Sequence, residues 1–154
     1  MNQFLFRLHA SFQQDFFDNP FSVKGIQVKV KIHPYFPDKD GLPEYFSTYY
    51  EKFVHIVTRQ TVGKKGVKGK RKFKADRANR IHWLRPILEN YTDARITNFS
   101  FIEADKSIRD YFWYKEKNFM VIMEEVEPDY ILITGFCVDK RNLSYYRKKE
   151  QNSI

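Results

Sequence analysis

The sequence predicts an α+β domain in which N-terminal helices pack on a C-terminal four-stranded antiparallel sheet, and two observations carry that expectation. Apolar residues recur at helical spacing near the start of the chain, whereas the second half holds four strand-like runs separated by short charged or proline-containing breaks. With 154 residues, 42% of them hydrophobic and 18% aromatic, there is material for one core, so residues 1–154 are read as a single domain. No internal repeat is visible.

Taken in order, Phe4, Leu5, Leu8, Phe12 and Phe16 fall near helical spacing, and Asp18, Asn19 and Pro20 stop that run. Ile26, Val28, Val30 and Ile32 alternate with Gln27, Lys29 and Lys31, the signature of a half-buried strand. Residues 33–43 read as a loop. PEYFSTYYE opens as a short helix, and FVHIVTR after it suits either the end of that helix or a strand. Residues 75–91 read as a second helix that Pro86 must kink or restart, with Ile81, Leu84, Ile87 and Leu88 as its buried stripe. The sheet then comes from RITNFSF, RDYFWYK, FMVIMEE and YILITGFCV, and the tail KRNLSYYRKKEQNSI forms a last basic turn of helix.

Charge is concentrated in one place. The whole chain carries +8, but residues 59–80 hold ten basic side chains and only Asp76 as an acid, so this segment alone accounts for +9. Glycines at 63, 66 and 69 make a mobile cationic loop of about residues 62–74 the expectation, suited to a polyphosphate partner; a merely solvated lysine-rich loop is the plainer alternative. A P-loop is rejected, because Gly63 to Gly69 is one residue too long and Arg71 follows Lys70 where Ser or Thr is needed. The single cysteine, Cys137, excludes an internal disulfide framework and a thiolate-rich zinc site, which points to a reducing, cytoplasmic setting. A broken N-terminal apolar run argues against a signal peptide, and no stretch reaches the roughly 18 apolar residues of a membrane span.

The four histidines form no HxH or HExxH pattern, so no metal and no cofactor is expected. Metal-free RNA cleavage needs a proton acceptor, a proton donor and cations around the phosphorane. His55 and Arg59, four apart at the edge of the basic segment, share a face whether FVHIVTR is helix or strand. In RDYFWYKEK, Arg109, Tyr111, Trp113 and Lys115 share one face, which could stack a base and grip its phosphate; aromatics serving as core are the alternative. Thr134 is the one hydroxyl inside an apolar strand and needs a partner, either substrate or backbone. Arg77, Arg80 and His82 lie near the start of the second helix, where an anion can meet side chains and free amides together.

FVHIVTR, RANRIHWLRPILEN, YFWYKEKNFMVIM and ILITGFCVD, spread over roughly residues 53–139, together resemble the phage-type members of the barnase, EndoU, colicin and RelE-like nuclease superfamily. The resemblance implies helices followed by a four-stranded antiparallel sheet and a metal-independent endoribonuclease of toxin or effector type. It makes His55 the general acid or base, has Arg80 and Lys115 contact phosphate, and makes Thr134 the polar residue of the last strand. His82 stands where that pattern has an aliphatic or aromatic residue, and is a candidate second proton-transfer group. Substrate contacts are expected from Arg59, Lys70, Arg71, Lys72, Arg77 and Trp113. RNA is the expected partner, with a neutralising acidic antitoxin or immunity protein if the chain cleaves it. A nucleic-acid-binding module without catalysis is the competing expectation.

Overall fold

A computed structural model describes residues 2–154. Helix α1 (Asn2–Gln13) runs into one wider π-helical turn, Gln14–Asp18, and is followed by two short strands, β1 (Ser22–Val23) and β2 (Ile26–Lys29). Helix α2 (Glu51–Val57) passes directly into β3 (Thr58–Val62), which turns back as β4 (Lys68–Phe73). Two short helices, α3 (Ala75–Ala78) and α4 (Leu84–Glu89), lead to the strands β5 (Ile96–Ile102), β6 (Ile108–Tyr114), β7 (Phe119–Val126) and β8 (Asp129–Cys137). Helix α5 (Lys140–Gln151) closes the chain.

The expected α+β class is present, but the sheet is not a four-stranded antiparallel one. It is a six-stranded mixed sheet in the order β1-β2-β8-β7-β6-β5. Strands β5 to β8 pair antiparallel with their neighbours, and β2 adds to β8 in parallel through Val28–Tyr130 and Lys29–Ile131. Antiparallel pairing of consecutive strands follows from their short connections, whereas docking of a strand from the far N-terminal end leaves no local trace in sequence.

Both faces of the sheet are covered. Phe112, Phe119, Val121, Met123, Tyr130 and Leu132 join Leu5 and Phe12 of α1, Phe53, Val54, Ile56 and Val57 of α2, and Leu84, Ile87 and Leu88 of α4 in the main core. On the opposite face Phe99, Tyr111, Trp113, Met120 and Ile122 pack under Leu143 and Tyr146 of α5. Five consecutive buried residues at the start of β7, FMVIM, are what a strand covered on both sides requires. The tail is therefore a full 12-residue helix and not a single turn. Its buried Lys149 ties it to the sheet by donating to Glu103 Oε2 at 2.6 Å and to the Tyr111 hydroxyl at 2.9 Å.

The basic segment is also corrected. Residues 68–73 form a strand, and β3 and β4 make a separate two-stranded antiparallel hairpin with a tight turn over Lys64–Gly66. Glycine serves here as a close-packing residue as well as a turn residue. A Cβ at Gly69 would lie 2.3 Å from Thr61 Oγ1 on the facing strand, and that hydroxyl donates to Lys70 O at 2.8 Å. The predicted second helix is broken into α3, a 3-10 turn at Ile81–Trp83, and α4. Pro86 falls in the first turn of α4, where its missing N–H costs nothing.

Candidate nucleic-acid interface

The site is built where α2, the hairpin and α3 meet the part of β8 that β2 leaves uncovered. Parallel pairing with β2 involves Tyr130 and Ile131. Beyond it, polar side chains occupy the exposed edge: Lys52 Nζ donates to Ile133 O at 2.6 Å, and Arg77 Nη2 donates to Gly135 O at 3.2 Å. An open strand edge is a template for unwanted pairing, and these two cations block it. Arg77 also ties the start of the hairpin to the sheet, since it donates to Thr58 O as well.

Arg77 is the hub. Its Nη1 donates to Thr58 O at 2.9 Å and its Nη2 reaches Thr134 Oγ1 at 3.4 Å, while the buried Nε has no partner among the described residues. Burial, then the neighbouring Arg71 and Arg59 guanidiniums, lower its pKa to about 10. Arg71 converges on the same turn, donating from Nε to Thr58 Oγ1 at 2.8 Å and from Nη2 to His55 O at 3.2 Å and Thr58 O at 3.1 Å. The two guanidiniums thus satisfy carbonyls at the C-terminal end of α2, the role a glycine cap has elsewhere. His55, Arg71, Thr58, Arg77 and Thr134 form one connected chain of contacts. Thr134 accordingly has its partner, and that partner is a side chain.

In front of this network lies a trough. One hollow of about 250 Å³ is lined by Arg59, Lys74, Asp76, Arg77, Phe136, Cys137, Asp139, Asn142 and Tyr146. A second, of about 430 Å³, is lined by Arg59 to Val62, Lys72, Phe73, Lys74 and Arg141. Arg59 and Lys74 line both, so the hollows adjoin. Five cations from four elements (Arg59, Lys72, Lys74, Arg77 and Arg141) outnumber the two carboxylates, Asp76 and Asp139. Arg59 Nη1 is 3.4 Å from Asp139 Oδ2, a half-exposed pair worth at most about 1 kcal/mol and easily exchanged for an anion. Burial pushes the Asp139 carboxyl up, but amide hydrogen bonds from Asn142 and Arg141 and the Arg59 charge outweigh it and hold the carboxyl below its ordinary range. Asp139 caps α5 by accepting from Asn142 N.

The expected residues are only partly gathered. His55 and Arg59 do not share a face, because the helix ends at Val57 and the strand begins at Thr58 between them. Burial, then the charge of Arg71, lower the His55 pKa, with Glu51 and Asp40 acting in the opposite direction. Arg80 bridges from the trough by donating to Asp76 O at 2.8 Å. Lys72 lines the second hollow, and Lys70 stands exposed on the outside of the hairpin beside Gly41. His82 lies away from His55, with Trp83, Tyr114 and Lys117. Lys115 is beyond the end of β6, in a 3-10 turn, and its Nζ is held by Glu150 Oε1 at 2.8 Å. Trp113 is 1% exposed and belongs to the core under α5, so it cannot stack a base. The nominated centre of His55, His82 and Lys115 is not assembled.

Sequence reasoning missed Lys52, Lys74 and Arg141. Lys52 looks like an ordinary surface lysine on a helix, yet burial lowers its pKa, and its ammonium sits on the sheet edge. Arg141 joins the trough only because α5 starts beside the hairpin. Among the described residues no group of three or more His, Cys, Asp or Glu side chains is placed to hold a metal ion, and no helix is long and apolar enough to cross a membrane. Comparison with protein-family models, with curated proteins and with solved structures gives no match.

Proposed function

We propose that this chain binds single-stranded RNA through the trough between the β3–β4 hairpin, α3 and the start of α5. The observation that carries it is the five-cation lining around a half-buried guanidinium whose Nε is unpaired. Concentrated guanidinium and ammonium groups on a folded scaffold displace counterions from a phosphodiester chain, so affinity must fall steeply with salt. The test is fluorescence anisotropy with a labelled oligoribonucleotide between about 50 and 200 mM KCl. An Arg59→Glu/Lys74→Glu double variant is expected to lose at least about tenfold in affinity and to flatten the salt slope, whereas Lys115→Ala changes neither. Salt-insensitive binding, or full affinity after charge reversal, rejects the trough.

Cleavage of the bound RNA is a second reading, favoured by the sequence resemblance and by the position of His55 one helical turn before the Thr58 junction that Arg71 and Arg77 hold, His55 joining that network through its main-chain carbonyl. An imidazole with a lowered pKa is neutral near pH 7 and able to accept the 2′-hydroxyl proton, and the cations that line the trough, Arg59 and Lys74 among them, supply charge for the phosphorane. The expected result is scission of RNA but not DNA in EDTA, lost in His55→Gln. Intact RNA, or undiminished cutting by that variant, leaves binding alone. A neutralising acidic partner, expected if the chain cuts RNA, would have to cover the same cations.

A further inference from the structure

A third hollow lies at the far end of the Ala75–Trp83 segment, separate from the two that make the trough. It has a volume of about 330 Å³ and is lined by His82, Trp83, Pro86, Ile87, Tyr114 and Lys117. Its wall is aromatic. Trp83 is half-exposed, its ring braced edge-on by Phe119 at 5.6 Å and tilted against Tyr114 at 6.2 Å. The exposed His82 imidazole stands edge-on to the indole at 6.4 Å. The described lining contains two basic residues and no carboxylate. Arg80 joins this hollow to the trough: its guanidinium lies 5.1 Å from the Trp83 ring centroid while donating to the carbonyl of Asp76, a trough residue.

Only Trp83 leaves an indole accessible, since the other tryptophan, Trp113, is buried. An aromatic pair held rigid by the core, open on one side and flanked by cations, matches how proteins grip unpaired bases by stacking, with phosphate neutralised alongside. Continuity with the cationic trough through Arg80 decides between a base and an apolar peptide. We propose that this hollow receives one unstacked nucleobase of a single strand whose phosphates follow the trough, with Arg80 at the junction. This rests on the trough binding RNA and adds that the protein recognises exposed bases as well as charge.

The test compares a short oligoribonucleotide with an abasic phosphodiester of equal length, reading anisotropy together with tryptophan emission. The base-bearing strand is expected to bind about tenfold more tightly, as for one stacked base, and to quench the Trp83 emission. The abasic strand binds through the trough without quenching. Tyr114→Leu and Lys117→Ala are expected to bring the two affinities together while leaving abasic binding intact. Should Tyr114→Leu fail to fold, quenching in the unaltered protein still decides. Equal affinity for the two strands with no quenching overturns the base site and leaves the trough standing. Failure to bind either strand overturns the trough and this inference with it. Quenching by a proline-rich or aromatic peptide, but not by RNA, assigns the hollow to a protein partner and also refutes the proposal.

Discussion

At the scale of single residues, the site depends on guanidinium geometry. Arg77 serves three acceptors on two different elements, Thr58 O, Thr134 Oγ1 and Gly135 O, which the planar fork of arginine can do and a lysine ammonium cannot match. Histidines set the response to acid. His9 is packed against Tyr49, Tyr50 and Phe53 at 4.8, 6.0 and 5.0 Å between ring centroids, and burial lowers its pKa. His55 is lowered too, by burial and then by Arg71. Below the ordinary histidine value of 6.5 the unfolded chain takes up protons that the folded one refuses, so stability falls as pH falls through that region. The urea midpoint is therefore expected to drop between about pH 7.5 and pH 5.5, and His9→Phe or His55→Gln should each flatten the dependence. A midpoint unchanged over that range would contradict the environments of both rings.

At the scale of elements, close approach between α4 and β8 is the tightest constraint. A Cβ at Gly135 would stand 2.2 Å from Cδ2 of Leu84, a residue with no exposure. Gly135→Ala is expected to destabilise by about 1–3 kcal/mol through overpacking, measured by urea unfolding. Combined with Leu84→Val, it should cost less than the sum of the two single changes, since the smaller side chain vacates the volume the new methyl needs. Strict additivity would mean that the contact is not the source. At this scale much was legible. The run of α1 follows from helical periodicity, β2 from its alternation, and the four strands β5 to β8 from short apolar and aromatic runs set between charged or proline-containing breaks. The hairpin was not legible: its lysines and glycines carry no apolar alternation, and its pairing depends on backbone bonds and on Thr61 lying over Gly69. The boundary at Val57–Thr58 was equally hidden, since Arg71 and Arg77, 13 and 19 residues beyond Thr58, terminate the helix there.

At the scale of the whole molecule, a sheet clamped between two helical layers carries a separate two-stranded hairpin on its flank. A two-stranded ribbon has little stability of its own. Amide hydrogen exchange is therefore expected to be slowest in β7, paired on both sides, and much faster over residues 62–70 of the hairpin. Added oligoribonucleotide should slow the hairpin selectively; uniform exchange across both sheets would show the ribbon to be integral to the core. Composition and periodicity by themselves determined the α+β class and one charge-dense segment at residues 59–80, because these are sums or local repeats along the chain. Only the tertiary structure decided that β2 joins the sheet in parallel, that Trp113 is core while Trp83 is open, that His55, His82 and Lys115 stand apart, and that Lys52, Lys74 and Arg141 flank the site. Those outcomes depend on which distant side chains meet across the edge of β8 and beneath α5, and contacts over such separations are fixed by packing and hydrogen-bond satisfaction, which leave no periodic mark in the sequence.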